Sequence, residues 1–435
     1  MTQQRSTTTT PAPSASAPST PAPSASAPST PGPAAPAPAA PAPSASAPSG
    51  SLPLPDSALD QIADSLGGAT VVGIGESTRF SRETFGIRDQ IFRRLVRRHG
   101  FRALAWQDGA GVAERLDRYV RLGEGDAVSA LADAWQPWRS AETVAALEWL
   151  RGYNEEHPGD PVRIFGVQPV KATTADYDAV LERVREVAPE RLAEVAAHLE
   201  PIKTAHRTDE HVQRAHGTHP GRPFAEHARD ALALVRALPG GRKDGGALAR
   251  MRLIVDFHER SVAGSGSFSS DVTATAEVVA AHQRETGLRI AYWDGIAHTS
   301  AAPITFSTLP GQAPAPTVGS ELRRAYGEAG YLSVAIGFHH GDLGIVRVPE
   351  PAAGQLDARL AEAPEHGEQA RAAHWLDLRQ DEVRDNWDGP VRARVISGVY
   401  DPAHDADHHL AVASAADAFD LLIHVREVTP VRWLP

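Results

Sequence analysis

The sequence predicts an α/β fold built on a central, mainly parallel sheet flanked by helices, and three observations carry that prediction. Short apolar runs rich in β-branched or aromatic residues recur at 70–74, 101–106, 162–167, 288–293, 333–338 and 419–425. Stretches of helical periodicity separate the first three of them, the alternation that βαβ units around a parallel sheet produce. The first run, Val71-Val72-Gly73-Ile74-Gly75, is apolar throughout, as a strand buried on both faces should be, and it stops abruptly in Glu76-Ser77-Thr78-Arg79. Ligands of α/β proteins bind beyond the carboxyl ends of such strands, so this polar turn is the stretch around which the rest is organised.

Taken in order, Leu59–Leu66 reads as a short amphipathic helix leading into the first strand. Glu83–Gly100 reads as a helix with Ile91, Phe92, Leu95 and Val96 on one stripe and Gly100 as its C-cap. The second strand, Phe101–Trp106, ends in Gln107-Asp108-Gly109, and a helix is expected over 110–122. Trp135-Gln136-Pro137-Trp138 precedes a helix over Ala141–Asn154, and Val162–Val167 is the third strand. From 173 to 262 the pattern turns wholly helical, which predicts an all-helical insertion covering the mouth of the sheet. Strands resume at Leu288–Trp293 and Ser333–Phe338, and the last lies in Phe419–Val425. One continuous α/β domain over 52–435 accounts for this order better than two separate ones.

Residues 1–51 are different in kind. PAPSASAPST stands at 11–20 and again at 21–30, with PAPSASAPSG at 41–50. Such a segment has many prolines and nothing to bury, so a solvated, semi-extended, disordered tail is expected. Arg5 is followed by threonines and prolines rather than an apolar run, so no signal peptide is read, and no stretch reaches the roughly 18 apolar residues of a membrane span. The absence of cysteine excludes disulfides and thiolate metal sites and fits a cytoplasmic chain. A net charge of −11 argues against nucleic acid as a partner.

Position at strand ends selects the candidate chemistry. Glu76, Arg79 and Arg82 follow the first strand, Asp108 the second, Asp294 and His298 the fourth, and His339 the fifth. A carboxylate beside a desolvated histidine has its pKa moved toward neutrality, as general acid–base work needs. Arginine stays protonated, so Arg79 or Arg82 would hold an anion or polarise a carbonyl. No third glycine or Lys-Ser/Thr follows Gly73-Ile74-Gly75, and Gly264-Ser265-Gly266 lacks the nucleophile-elbow context, so neither a phosphate loop nor a serine nucleophile is expected. The histidines of 173–262 lack a compact ligand spacing, and those at 408 and 409 stand in a polar loop, so no metal site is expected and no cofactor is indicated. His339-His340 read as turn residues after a strand, and His424 as a packed strand residue.

The ordered landmarks resemble the erythromycin esterase family. That family's Gly-Glu-x-Thr-His and His-Gly-Phe-Arg motifs appear here as Gly75-Glu76-Ser77-Thr78-Arg79 and His99-Gly100-Phe101-Arg102. Asp117-Arg118-Tyr119-Val120, Trp135–Trp138 and Leu150–Asn154 follow in the family's order, then Phe165-Gly166-Val167-Gln168 at a strand end. Trp293-Asp294-Gly295-Ile296-Ala297-His298 matches a Trp-Ala-His-Asn-x-His landmark, and Val399-Tyr400-Asp401-Pro402 and Phe419–His424 match the C-terminal pattern. The resemblance implies an enzyme that activates water with histidines supported by glutamates. Three of those positions are changed: the histidine after Thr78 is Arg79, a glutamate is Trp106, and the first histidine of the later landmark is Gly295.

Three functions are consistent with the changes. One is a tailoring enzyme of natural-product biosynthesis, using Glu76 and His298 for cyclisation, dehydration or rearrangement of a bulky apolar small molecule. In that reading Arg79 holds an anion or carbonyl, Trp106 widens the apolar wall, and Arg82, Asp108, Gln168, Asp294 and His339 complete the substrate site. The second is a macrolactone esterase with His298 as base. The third is a non-catalytic protein that binds a small molecule. All three expect a polyketide-like or peptide-like partner, no nucleic acid and no membrane.

Overall fold

The computed structural model describes residues 52–435 apart from 169–171, 204–207, 216, 218, 239–244, 262–267, 308–312, 363–371 and 397–399. The expected tail, 1–51, lies outside the described residues, as do His206, His216 and the 264–266 stretch.

The first helix, α1, spans Asp56–Leu66 and delivers the chain into β1, Val71–Glu76, every residue of which is buried. Helix α2, Arg82–His99, starts at Ser81, whose side chain accepts from the Thr84 amide, an N-cap that satisfies one of the first-turn donors. It stops at Gly100, where a φ of 68° closes the helix in the left-handed region that glycine enters without steric cost. Strand β2 runs Phe101–Gly109, α3 runs Ala110–Leu122, and β3 runs Arg163–Gln168 after a helix over Ala141–Glu156. The remaining strands are β4 Arg289–Gly295, β5 Thr305–Phe306, β6 Tyr331–Asp342, β7 Arg347–Val348, β8 Ala373–Asp377, β9 Val391–Arg394, β10 His409–Val412 and β11 Leu421–Val428.

The main sheet has the order β3-β2-β4-β1-β6-β11-β8, with β7 paired to β6. All pairings from β3 to β11 are parallel, while β8 and β7 are antiparallel to β11 and β6. β1 is therefore central, flanked by β4 and β6, with Glu76 opposite both Gly295 and Ile336. This register brings the carboxyl ends of β1, β4 and β6 to one edge. A separate antiparallel sheet, β5-β10-β9, was not expected from the sequence, nor was the short antiparallel edge strand β8. Both are too short to carry a periodic signal.

One large core lies between the sheet and the helices on its α1–α2 side, and a second apolar cluster backs β4 and β6. Between β3 and β4, helices at Thr174–Val187, Leu192–Lys203, Thr208–Ala215, Phe224–Ala237, Gly245–Arg260 and Phe268–Thr286 follow one another without a strand among the described residues. Four of these enclose a core of their own around Tyr177, Leu199, Leu232 and Met251. No helix among the described residues is long and apolar enough to cross a membrane.

Candidate active site

Glu76 is the last residue of β1 and only 1 % exposed. Its carboxylate meets the Arg88 guanidinium in a contact ion pair, both side chains having no exposure, and accepts from Thr84 Oγ1 at 3.0 Å. Arg88 projects from the first turns of α2 into an aromatic cage: its guanidinium carbon lies 4.6 Å from the ring centre of Trp293 and 5.0 Å from those of Trp138 and Phe85. Burial, only partly opposed by Arg88 and Arg79, leaves the Glu76 carboxyl above its ordinary value. Burial likewise brings the Arg88 guanidinium down to about 10, so it stays charged at neutral pH. The group that holds Glu76 is thus Arg88, which sequence reasoning did not single out. A signal was available: Arg88 stands one helical turn before Phe92 on the buried stripe of α2, where a cation needs a buried partner.

The second centre is Asp294, near the end of β4 and 2 % exposed. Arg79 Nη2 donates to Asp294 Oδ1 at 2.6 Å and to Gln107 Oε1 at 2.5 Å. The Tyr292 hydroxyl donates to Asp294 Oδ2 at 2.5 Å, and the Gly295 amide to Oδ1 at 2.7 Å. Burial, with Asp294 beside it, raises the Tyr292 phenol well above its ordinary value, so it remains a donor. His298 lies on the short helix Ile296–Thr299 that follows β4, half-buried, with Nε2 4.0 Å from Asp294 Oδ1. Burial lowers its pKa, Asp294 opposes that and Arg79 adds to it, so the imidazole is neutral at pH 7. The carboxylate within reach of His298 is Asp294, not the Glu76 that the sequence suggested as its partner.

Arg79 occupies space that Gly295 leaves open. A Cβ at Gly295 would lie 3.1 and 3.3 Å from the two terminal nitrogens of Arg79, closer than side chains ordinarily tolerate. The guanidinium carbon also lies over Trp135, 4.8 Å from its ring centre.

The remaining predicted residues divide. Trp106 does not form an apolar substrate wall: it has no exposure and packs against Trp138 and Trp293, with ring centres 4.5 and 5.8 Å away, because its position on β2 faces the core. Asp108 is equally closed off and clamps the chain, accepting from the amides of Gly109 and Trp135 at 2.7 Å each, which fixes the loop that carries the indole under Arg79. Arg82 is partly exposed at the start of α2 and pairs with Glu83 at 3.5 Å. Gln168 ends β3, half-buried and opposite Gly109. His339 is not a turn residue: β6 continues through Asp342, and His339 is 7 % exposed within it, its pKa pushed down to about 4 by burial and Arg426. Gln107 and Tyr292 join the site although they were not predicted. Tyr292 was legible, because residues two apart on a strand share a face.

The sequence pattern of the erythromycin esterase family matches residues 96–428, more than half of the chain. The chain belongs to that family. The match starts beyond the Glu76–Arg79 turn, so family membership rests on the later landmarks. Among solved structures, a succinoglycan biosynthesis protein superposes with a TM-score of 0.56 at 18% identity, covering 88% of this chain and 94% of that one. A protein from Bacillus cereus gives 0.56 at 19% identity, with 88% and 95% covered. A mutant of the erythromycin esterase EreC in its open conformation gives 0.52 at 17% identity, with 85% and 94% covered. At these identities the structures share the fold with this chain: the mixed α/β architecture with its mainly parallel sheet is the family's.

Proposed function

We propose that this protein is an ester hydrolase of bulky, apolar small molecules, polyketide-like or peptide-like, in which His298 is the general base. The observation that carries the reading is the Asp294–His298 pair beside Arg79 at the carboxyl ends of β1 and β4. A neutral imidazole near a fixed carboxylate accepts a proton from water, and the imidazolium that forms is stabilised by Asp294. The hydroxide adds to the ester carbonyl, and the tetrahedral alkoxide collapses by expelling the alcohol oxygen, which takes the proton back from His298. Arg79 supplies fixed positive charge next to where the oxyanion develops. Its Nη2 is committed to Asp294 and Gln107, which fixes the orientation of that charge. Glu76, sealed with Arg88, supports the turn that carries Arg79 and does not exchange protons with substrate.

A second reading keeps the same groups without an attacking water: cyclisation, dehydration or rearrangement in natural-product tailoring. It is favoured by the crowding of His298 and Arg79 around one buried carboxylate, since excluding water suppresses hydrolysis. Incubation of pure protein with a panel of macrolactones, followed by mass spectrometry, separates the two. Gain of one water is expected for hydrolysis, while loss of water or an isomeric product supports the tailoring reaction. Unchanged compounds that still bind would refute both and leave a binding protein.

A further inference from the structure

The carboxyl end of β6 carries a second group of side chains, apart from the Asp294 centre, that no part of the hydrolase reading uses. β6 and β7 form a hairpin in which Gly341 pairs with Val348 and Asp342 with Arg347. Carried two residues further, that register sets Glu350 across from His339. His339 Nδ1 and His340 Nδ1 lie 2.9 Å apart, although neighbouring strand residues ordinarily point to opposite faces. One ligand atom from each of His339, His340 and Glu350 falls within 4.8 Å of the other two. Two nitrogens bound to one zinc ion at about 2.0–2.1 Å stand roughly 2.9–3.4 Å apart, depending on the angle between them, and the imidazole pair already has that spacing.

The hairpin is also held from beneath. Arg394, buried at 1 % exposure, donates from Nη1 to the carbonyl of Pro349 at 3.0 Å and from Nη2 to those of Phe338 and His339 at 2.8 and 2.5 Å. Its partner Asp405 lies 3.2 Å away. One guanidinium thus pins the backbone at both sides of the hairpin, next to each ligand-bearing position. The ring of His424 lies 6.2 Å from that of His339 and is 2 % exposed, so His339 packs against a buried side chain. Preformed ligands on a pinned backbone are what a metal site needs, since ordering them is otherwise charged against binding.

We infer that His339, His340 and Glu350 form a binding site for a first-row transition-metal dication, with zinc the ion that two imidazoles and one carboxylate suit. Three protein ligands leave a coordination position for water or for an anionic ligand.

The full-length protein, stripped with a chelator, is titrated with zinc sulfate by calorimetry, and cobalt(II) absorption reports coordination geometry. The expected result is one equivalent of zinc bound, with H340A weakened by at least about tenfold, E350Q weakened to a smaller degree, and H408A unchanged. Magnesium should not compete, because imidazole is a poor ligand for it. Retained near-ultraviolet dichroism shows that H340A is folded; if it is not, E350Q decides, because Glu350 is exposed and its replacement spares the core. Zinc binding that is absent, that persists in H340A and E350Q, or that is lost in H408A instead would overturn the site.

Discussion

Replacing Arg88 tests the claim that Glu76 is locked in a buried ion pair. Neither side chain has any exposure, and the guanidinium is ringed by Trp293, Trp138 and Phe85. At contact separations and an effective permittivity near 20, the attraction between the charges is about 4–6 kcal/mol. Desolvated stacking on Trp293 adds about 2 kcal/mol. Most of this offsets the cost of bringing two ions out of water, so the pair adds little net stability. Breaking it is different, because Arg88→Met fills much of the space yet strands a carboxylate. The expected loss is about 3–5 kcal/mol in urea denaturation. The pH dependence identifies the cause. An unpaired buried carboxyl has its folded pKa raised above the unfolded value, so the fold holds its proton more tightly than the unfolded chain does. The deficit of R88M should therefore be small at about pH 5 and grow as pH rises toward about 8. Adding Glu76→Gln removes the stranded charge and should return most of the loss, flattening the pH dependence. If R88M falls within about 1 kcal/mol of the parent, or if E76Q/R88M is no more stable than R88M, Glu76 is not held by a buried charge pair.

Three further outcomes follow from the site and from the sheet. His298→Asn should lower turnover of any hydrolysed substrate by about a hundredfold to ten-thousandfold without shifting the melting temperature. In the parent the acidic limb of the rate should fall below about pH 6.5, because burial and Arg79 depress the imidazole, and Arg79→Gln should move it upward by removing a positive charge and freeing Asp294. An unmoved limb in R79Q would show that the two side chains are not electrostatically linked. The buried His424 is held neutral well below its ordinary value, first by desolvation and then by His374 and His339. The unfolded chain therefore takes up the extra proton, so stability should be complete above about pH 6.5 and be lost as pH falls beneath it. Thermal melts from pH 7.5 to 4.5 should show this slope, and His424→Phe should reduce it; an unchanged slope would place the acid sensitivity elsewhere.

The sheet was readable from sequence because its central strands are buried on both faces and therefore apolar without interruption, as β1 shows from Val71 to Ile74. The helix boundaries were readable from their caps, with Gly100 the clearest. The positions of the strand ends were readable too, since parallel order places Glu76, Asp108 and Asp294 at one edge. Partnership was not. Which carboxylate faces His298 depends on whether a side chain at the end of a strand points into the helical layer or across the sheet, and β1 sends Glu76 toward α2 while β4 keeps Asp294 beside its own helix. Trp106 failed for a related reason: an indole at a strand end reads the same in sequence whether it faces a cleft or a core. The histidine pair at 339 and 340 was misplaced because β6 outlasts its apolar run, continuing through Asp342 on hydrogen bonds to β7 and β11.

Arg79 and the space beside Gly295 adjoin each other, and the geometry gives a reason for treating the two positions together. A Cβ at position 295 would come within 3.1 Å of the Arg79 guanidinium, so any side chain there requires the guanidinium beside Asp294 to give way by a few tenths of an ångström. Gly295→His alone should therefore destabilise by crowding, in the range of about 1–3 kcal/mol for an overfilled site. Arg79→His alone should destabilise by another route, taking the charged donor from a carboxylate that is 2 % exposed and opening space beside Gly295. In the double variant each histidine occupies room that the other substitution vacates, and Asp294 regains imidazole donors. The two losses should then fail to add, with a coupling of about 1–2 kcal/mol in favour of the double variant. Losses that sum to within about 0.5 kcal/mol would mean that the guanidinium and the glycine are not energetically coupled.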